Sequence, residues 1–248
     1  MILKQTLSRA LTTAGVAAAL SAFVVTDASG ATLPTVTTAT GSAYGVKAAG
    51  AATALTLGIV PVNLAETPSV STTNSALAST KTLVSAYVPT LCSLFTPTCV
   101  VNAHAAKVST KNVAGATGSS VSSADVADIS LLFDLLNLKG VHADCRADKA
   151  GLTMSGSAAV APSLSLLATL PVPLALPSTS TPDPNTVVVL GTDTVSVGTL
   201  TLNEQVNTGT ATKNAGEVNA VHLKIPAGSP LSLTGLDVIV GHAACSAA

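Results

Sequence analysis

Apolar and polar residues alternate with a period of two along several stretches of this chain. The clearest stretches are VHADCRAD (141–148), VSVGTLTLNEQV (195–206) and EVNAVHLKI (217–225). Successive side chains of a β-strand point to opposite faces, so this alternation is typical of strands with one buried face. Clusters of Gly, Asn and Pro separate the stretches, which favours several strands in a sandwich. The pattern therefore predicts an all-β protein with a β-sandwich-like antiparallel fold.

Two segments between these stretches predict connections. NTGTATKNAG (207–216) has the turn-forming residues of a hairpin loop. LPVPLALPSTSTPDPNT (170–186) contains five prolines, and proline cannot donate a hydrogen bond to a neighbouring strand. We therefore expect an extended Pro-rich connection at 170–186 between residues 31–169 and 187–248. Because the second part is short, we expect its strands to complete a sheet that the first part begins.

One segment has a spacing that also suits a helix. In SADVADISLLFDLLNL (123–138), Ile129, Phe133 and Leu136 recur three or four residues apart, as on one face of a helix. Two interpretations stand for this segment. It forms one short helix near 126–137, or it forms a strand, a turn and the strand that carries HADC.

The N-terminal segment has the three-part layout of a secretory signal peptide. Lys4 and Arg9 give a positive start, residues 10–25 form an uncharged apolar run, and ASGA (28–31) supplies the small residues of a cleavage site. A membrane anchor would need ~18 or more strongly apolar residues, whereas many residues of this run are Ala, Thr or Ser. We therefore expect an N-terminal signal helix at 1–30 that is cleaved on secretion.

Composition narrows the class of the remaining chain, which we interpret as a single secreted β domain at 31–248 without a membrane span. The whole chain has a net charge of −1, 9% charged residues and 48% hydrophobic residues. A nucleic-acid-binding protein would carry a basic face, so no nucleic-acid partner is expected. There is no Trp, and there are only two Tyr and three Phe. A core of small aliphatic side chains buries little area per residue, which makes cross-links valuable.

Two copies of the pattern H-A-x-C, at His142 to Cys145 and at His242 to Cys245, resemble a metal-binding motif when read as letters. Histidine and cysteine are three residues apart in each copy, so on a strand they point to opposite faces. A zinc ion needs four ligands that converge on one point. The strand pattern therefore disfavours a metal site and suggests that each copy supplies one cysteine to a disulfide.

Four cysteines in a secreted chain can form two disulfides in three different pairings. We favour Cys92–Cys99 together with Cys145–Cys245. The first pair would close the short loop CSLFTPTC, and the second would join similar points on the apolar faces of two strands. In the chain-entropy model, closing a loop of about 100 residues contributes roughly 4–5 kcal/mol. Such a contribution would matter for a core with so few aromatic residues.

The sequence offers one weak candidate for acid–base chemistry. His142 and Asp144 share the polar face of one predicted strand, so the carboxylate could orient the imidazole as a general base. The alternative interpretation is a solvent-facing row of charges. The chain contains no G-x-S-x-G elbow, H-E-x-x-H motif, phosphate loop or dinucleotide fingerprint. His104 and His222 are isolated, and we interpret both as structural or exposed. We therefore predict a non-catalytic protein with no cofactor and no metal.

A sugar-binding module is another candidate for a secreted β-sandwich. Such modules stack sugars on exposed aromatic rings, and the part of the chain after the signal offers only Tyr44, Tyr87, Phe95 and Phe133. Clustered exposure of Tyr44 and Tyr87 would favour this function.

Five motifs occur in one order along nearly the whole chain after the signal: GSAYGV (41–46), GVHADCRA (140–147), GTLTLNEQVN (198–207), GEVNAVHLKI (216–225) and DVIVGHAACS (237–246). In these motifs the chain resembles the choice-of-anchor P family of secreted and surface proteins from actinobacteria. The resemblance implies an extracellular, non-catalytic protein. It also implies the Cys145–Cys245 pairing, with Cys92 and Cys99 outside the family pattern. No sorting motif or apolar tail follows Cys245, so we expect release to the medium or non-covalent association with the wall.

Together these observations predict a secreted structural or interaction protein of the cell envelope or extracellular space. Its partner would be a cell-wall component or another secreted protein. Two alternatives remain: a secreted glycan- or ligand-binding module, and a secreted hydrolase that uses His142 and Asp144.

Overall fold

The computed structural model describes residues 35–54, 58–87, 101–131, 136–162, 181–191, 196–227 and 233–248. The predicted signal at 1–30, the Cys92–Cys99 loop and most of the Pro-rich connection lie outside the described residues. Within these ranges, no helix has the length and hydropathy needed to cross a membrane.

The described residues form eleven strands: β1 (Ala39–Ala54), β2 (Gly58–Thr73), β3 (Ser79–Tyr87), β4 (Val101–Val113), β5 (Ser119–Leu131), β6 (Leu136–Asp148), β7 (Gly151–Pro162), β8 (Thr186–Gly191), β9 (Ser196–Asn207), β10 (Asn214–Ile225) and β11 (Leu233–Ala247). They build a six-stranded sheet in the order β2-β1-β11-β10-β9-β8 and a five-stranded sheet in the order β3-β4-β5-β6-β7. Neighbouring strands are antiparallel throughout both sheets. The prediction of an all-β, sandwich-like antiparallel fold is confirmed.

The pairing of β1 with β11 joins the two ends of the described chain in the middle of the six-stranded sheet. Most other strands pair with their neighbours in sequence, and the chain passes from one sheet to the other between β2 and β3 and between β7 and β8. The strands after the Pro-rich connection therefore complete the sheet that β1 and β2 begin, as the sequence led us to expect.

Of the two interpretations of residues 123–138, the structure bears out the two strands, and the short helix near 126–137 is wrong for the described part of the segment. Residues up to 131 belong to β5, and β6 begins at Leu136, which pairs directly with Leu131. Ile129, Leu131, Leu136 and Leu138 are all at most 2% exposed. The helix-like spacing arose because these residues come from the paired ends of two strands, which bury them in the core. Tertiary pairing on both sides of β5 overrides the local preference.

The predicted hairpin at 207–216 is confirmed, since β9 ends at Asn207, β10 begins at Asn214, and Gly216 pairs with Asn207. The end of the predicted Pro-rich connection is more structured than expected. Thr186 already begins β8. Pro182 is buried, and its carbonyl accepts a 2.9 Å hydrogen bond from the side-chain amide of Asn203.

The core lies between the two sheets and is built mainly of Ala, Val and Leu. Its largest fully buried side chains are Ile129, Leu131, Leu136, Leu138, Leu200, Leu202, Leu223, Ile225 and Leu236. They are accompanied by many alanines, including Ala43, Ala124, Ala143 and Ala220. Side chains this small fill an interior only where the two sheets lie close together.

Candidate functional site

A line of breaks in strand alternation, which we call the bend, crosses the middle of the six-stranded sheet. Strict alternation breaks in β10, where Ala220 and Val221 are consecutive core residues, and in β11, where Gly241 follows the core residue Val240 and has left-handed φ (+65°). The pairing of Val221 with Val240 places these irregularities side by side. A Cβ on Gly241 would lie 3.1 Å from Val141 of the opposite sheet. Two successive residues of each strand therefore face the core at this line.

The five-stranded sheet has a matching line of breaks in alternation. Here two successive residues of a strand face outward, as at His104 and Ala105 of β4 and at Lys139 and Gly140 of β6, all of which are exposed. Ala105 and Gly140 have positive φ values of 50° and 57°. The register aligns His104 with Asp128 and Asp128 with Lys139. The bend therefore runs through both layers, and it reshapes the outer face of each sheet.

The disulfide lies on the inner face of both sheets, a few residues beyond the bend. Cys145 of β6 and Cys245 of β11 are bonded, with Cα atoms 5.6 Å apart and exposures of 0% and 3%. This separation is typical of a disulfide. The bond joins the two sheets through their inner strands, and it is the pairing that the sequence and the family resemblance both led us to expect.

The two histidines of the H-A-x-C copies lie on the outer faces of different sheets. His142 pairs with Asp125 on the exposed side of β6, whereas His242 hydrogen-bonds to Asn219 on the outer side of β11. Because the cysteines face the core, the four residues do not converge on one point. Among the described residues, no group of three or more His, Cys, Asp or Glu side chains is placed to hold a metal ion.

His142 does not pair with Asp144, so the general-base arrangement considered from the sequence is not formed. Its Nδ1 lies 2.7 Å from Oδ1 of Asp125 on the neighbouring strand, and both side chains are about half exposed, at 43% and 54%. Directly paired residues of adjacent strands are closer than residues two apart along one strand. Burial raises the pKa of the Asp144 carboxyl, against the opposing charges of His142 and Arg146.

A shallow crease of about 360 Å³ runs beside His142 on the outer face of the five-stranded sheet. It follows the bend line, and its lining includes Ala105, Ala127 and Gly140 together with the polar row Lys107, Asp125 and His142. The one hydroxyl in its lining belongs to Thr82 of β3, three strands away from His142 on β6. Three inter-strand spacings amount to about 14 Å, which is too far for proton transfer between the two side chains.

The bend of the six-stranded sheet gathers a larger polar arrangement on its outer face. His222 lies at its centre, with Nδ1 2.6 Å from Oε2 of Glu204 and Nε2 2.9 Å from Oδ1 of Asp237. Although burial opposes its charged form, the hydrogen bonds and charges of these two carboxylates raise the pKa of His222. The hydrogen bond from His222 lowers the pKa of Glu204 to about 2, assisted by a bond from Asn219 and opposed by burial.

The arrangement continues from Glu204 towards the other edge of the sheet. Asn219 donates from Nδ2 to Oε2 of Glu204 at 2.7 Å, and its Oδ1 accepts a 2.7 Å hydrogen bond from Nδ1 of His242. The imidazole of His242 stacks on the ring of Tyr44, with centroids 4.3 Å apart and planes inclined by 13°. Lys47 Nζ lies 5.9 Å from the Tyr44 ring centroid.

Lys47 also forms a 3.1 Å ion pair with Glu66 of β2, so the contacts connect five strands. We call this set the outer polar band: Glu66, Lys47, Tyr44, His242, Asn219, Glu204, His222 and Asp237. Burial lowers the pKa of His242 to about 4. Burial also raises the pKa of Tyr44, helped by the negative charge of Glu66. His242 is therefore neutral at neutral pH. His222 differs from it, because its two carboxylate partners favour the charged imidazolium form.

The outer polar band is better suited to holding strands together than to chemistry. Both ring nitrogens of His222 are engaged by carboxylates, and His242 is only 8% exposed. A general base needs a free nitrogen within reach of a substrate proton. Charge-assisted hydrogen bonds of this kind are stronger than neutral ones, so the clamp around His222 fixes β9, β10 and β11 relative to each other.

A second polar cluster ties the sheets together near one end of the core. Asn112 donates from Nδ2 to the carbonyl oxygen of Thr72 at 2.9 Å. Ser120 Oγ lies 2.6 Å from both the carbonyl oxygen of Thr40 and Oδ1 of Asn112. Asn112 and Ser120 are fully buried. These side chains of β4 and β5 satisfy backbone groups of β1 and β2, which is a structural role.

His222 has the structural role expected of it, but the description of it as isolated is wrong, because Glu204 and Asp237 both contact its ring. Strict alternation places Asn219 and His222, three residues apart, on opposite faces. They share the outer face only because Ala220 and Val221 both face the core. The available signal was Gly241, since a glycine inside a strand often marks a bulge.

Tyr44, whose side chain lies in the described part of the chain, does not form the exposed platform that sugar binding would favour. Tyr44 is only 6% exposed, because its ring lies flat in the outer polar band. The side chain of Tyr87 and the whole of Phe95 and Phe133 lie outside the described residues. The stacking face of Tyr44 is already used by His242.

Comparison of the chain with known protein families, with characterised proteins and with solved structures gives no match.

Proposed function

We propose that this chain is a secreted, non-catalytic structural or interaction protein of the cell envelope or extracellular space. The observation that carries the proposal is the buried disulfide between Cys145 and Cys245, which joins the two sheets across the core. Structural disulfides persist in oxidising environments and are rare in the cytosol. A small-residue core gains most from such a cross-link, because each of its side chains buries little area. The signal-like N-terminus and the resemblance to choice-of-anchor P proteins support the same location.

The polar groups support a presenting or binding role rather than turnover. His222, His242 and His142 each have a carboxylate or amide partner at 2.6–2.9 Å. The contacts of His222 and His242 join neighbouring strands of the six-stranded sheet and keep its outer face rigid. A rigid, pre-ordered surface loses little entropy when a partner binds. The expected partner is a cell-wall component or another secreted protein.

A glycan- or ligand-binding module is the second candidate, and the crease beside His142 is the observation in its favour. Its volume of about 360 Å³ falls at the low end of ligand pockets. The hydrolase alternative is weaker, because His142 pairs with Asp125 rather than with Asp144. The hydroxyl directly opposite His142 is that of Ser157 on β7, and it is the nucleophile that such an enzyme would need.

Fractionation of an actinobacterial host that expresses the full chain tests the location. We expect the protein in the medium and the wall fraction, with Cys145 and Cys245 linked in non-reducing peptide maps. Accumulation in the cytosol with free thiols would contradict the proposal.

Sedimentation of purified residues 31–248 with isolated cell walls tests the role. Retention on walls, without release of soluble wall fragments, is the expected result. An Asp125→Asn variant that loses retention would assign binding to the crease, and fragment release abolished by His142→Ala would instead support the hydrolase.

A further inference from the structure

We propose that β8 is a self-pairing edge, through which two copies of this chain join their six-stranded sheets. β8 (Thr186–Gly191) ends the six-stranded sheet among the described residues, and its one paired neighbour there is β9. Its sequence, TVVVLG, contains neither a charge nor a proline. An uncharged edge strand is a template for pairing with another strand, because its outer backbone groups lack a partner in the sheet.

The side chains of β8 favour an apolar contact on the outer face. Val187 and Val189 are 58% and 57% exposed, whereas Val188 and Leu190 are buried at 8% and 6%. Val187 pairs with Thr201 of β9, and Val189 pairs with Thr199. These four neighbours are all β-branched, and such residues pack well across strands. A second β8 laid beside the first would cover both valines.

The other sheet edges carry features that discourage pairing. β2 has Glu66 and Pro68, and proline cannot donate to an added strand. β3 has a lysine at position 81. On β7 the backbone carbonyl of Met154 already accepts a 3.2 Å hydrogen bond from the side chain of Gln205. β8 has no charge and no proline, and its protection is limited to its length of six residues and a register shift between Leu190 and Gly191 at its end.

The conformation of β8 is fixed before any partner arrives. The backbone amide of Asn185 donates to the carbonyl of Asn203 at 2.9 Å. The side-chain oxygen of Asn185 accepts a 2.9 Å hydrogen bond from the amide of Gln205, and Thr186 Oγ1 donates to the carbonyl of Asp183. A strand that is already held in place loses little further entropy on pairing.

The fitting occupant is a second copy of the same strand. Strand addition obtains its affinity from backbone hydrogen bonds, and two uncharged β8 strands meet without a charge conflict. Antiparallel pairing about a two-fold axis uses both open edges at once, so assembly stops at two copies. Because six-residue strands make an interface smaller than the standard 1,200–2,000 Å² or so, we expect a weak, reversible dimer.

Analytical ultracentrifugation of residues 31–248 with the disulfide intact tests this proposal. We expect a monomer–dimer equilibrium in which the fraction of dimer rises with protein concentration and approaches one only near millimolar protein. The double variant Val187→Lys, Val189→Lys should remain monomeric at every concentration. The control is Val84→Lys, which changes an 86% exposed valine on β3 and should dimerise as the wild type does. Circular dichroism checks that each variant is folded.

Cysteine trapping distinguishes β8 pairing from any other dimer. Under mild oxidation Val189→Cys should give a covalent dimer, whereas Val84→Cys should stay monomeric. A wild-type protein that is monomeric at millimolar concentration would overturn the proposal. A dimer that persists in the lysine double variant, or that traps equally at position 84, would overturn it as well.

Discussion

The bend predicts a graded response to four glycine-to-alanine substitutions. Gly241 combines two demands, because its φ is +65° and a Cβ there would lie 3.1 Å from Val141 and 3.3 Å from Ala220. Gly235 has a similar φ of +59° with nothing within 4 Å of the added Cβ. Gly45 has no positive φ, but its Cβ would lie 2.9 Å from Ala106. The substitutions therefore separate backbone strain from close packing.

The expected magnitudes follow from these contacts. A left-handed conformation costs a non-glycine residue roughly 1–2 kcal/mol, and the less flexible unfolded chain returns about 0.4–1 kcal/mol of that. Gly235→Ala and the equally open Gly140→Ala should therefore lose at most about 1.5 kcal/mol. Overpacking typically costs about 1–3 kcal/mol, which is the expectation for Gly45→Ala. Gly241→Ala carries both costs and should lose about 1–4.5 kcal/mol.

Urea unfolding followed by far-ultraviolet circular dichroism measures these free energies, since the chain has no Trp for fluorescence. The disulfide must stay intact in all variants, so that the unfolded states remain comparable. If Gly241→Ala is no less stable than Gly235→Ala, the sheets do not approach closely at the bend and the reasoning is refuted. If Gly45→Ala leaves the free energy of unfolding unchanged, β1 does not approach Ala106 closely at this position.

Four further outcomes are expected. Replacing Cys145 and Cys245 with serine should cost about 4–5 kcal/mol in urea unfolding, and a loss below about 1 kcal/mol would contradict the cross-linking role. The free energy of unfolding should fall as pH drops from 6.5 towards 4. The folded pKa of His242 is about 4, so the unfolded chain takes up a proton at this histidine at a higher pH than the folded chain does. His242→Gln should reduce this dependence of stability on pH. The contribution of His222 to the free energy of unfolding should be present below its ordinary pKa of 6.5 and be lost as pH rises through its raised folded pKa. Nuclear magnetic resonance titration of His222 and His242 should show pKa shifts in opposite directions. His142→Ala should change stability by less than about 0.5 kcal/mol, because its ion pair is exposed.

The alternation along the chain was sufficient to predict the fold class and the inward positions of several strands. Val221, Leu223 and Ile225 are each at most 1% exposed, and Cys145 and Cys245 meet across the core. These predictions succeeded because they depend only on the period of a strand and on which residues avoid water. They fail where a strand departs from that period.

The outer polar band could not be predicted, because it depends on such departures in several strands at once. Asn219, His222 and Glu204 belong to a network only because alternation breaks at paired positions of two strands. In β9 the consecutive residues Leu202 and Asn203 are both buried, and Leu202 pairs with Val221 at the break in β10. A shift in parity reverses the face of every later side chain in a strand. One irregular residue therefore changes which side chains share a face much further along the same strand. A single sequence shows that a glycine is present, but it does not show which residue of the neighbouring strand lies beside it.

The bend also accounts for the unusual composition. Where Gly241 of one sheet approaches Val141 and Ala143 of the other, larger side chains would not fit. Close approach of two sheets and a core of alanine, glycine and valine therefore require each other. Each such contact contributes little apolar area, so the fold needs stabilisation from elsewhere. This further stabilisation comes from two sources. The disulfide joins the inner faces of the sheets, and the clamp of Glu204, His222 and Asp237 joins strands on the outer face of the six-stranded sheet.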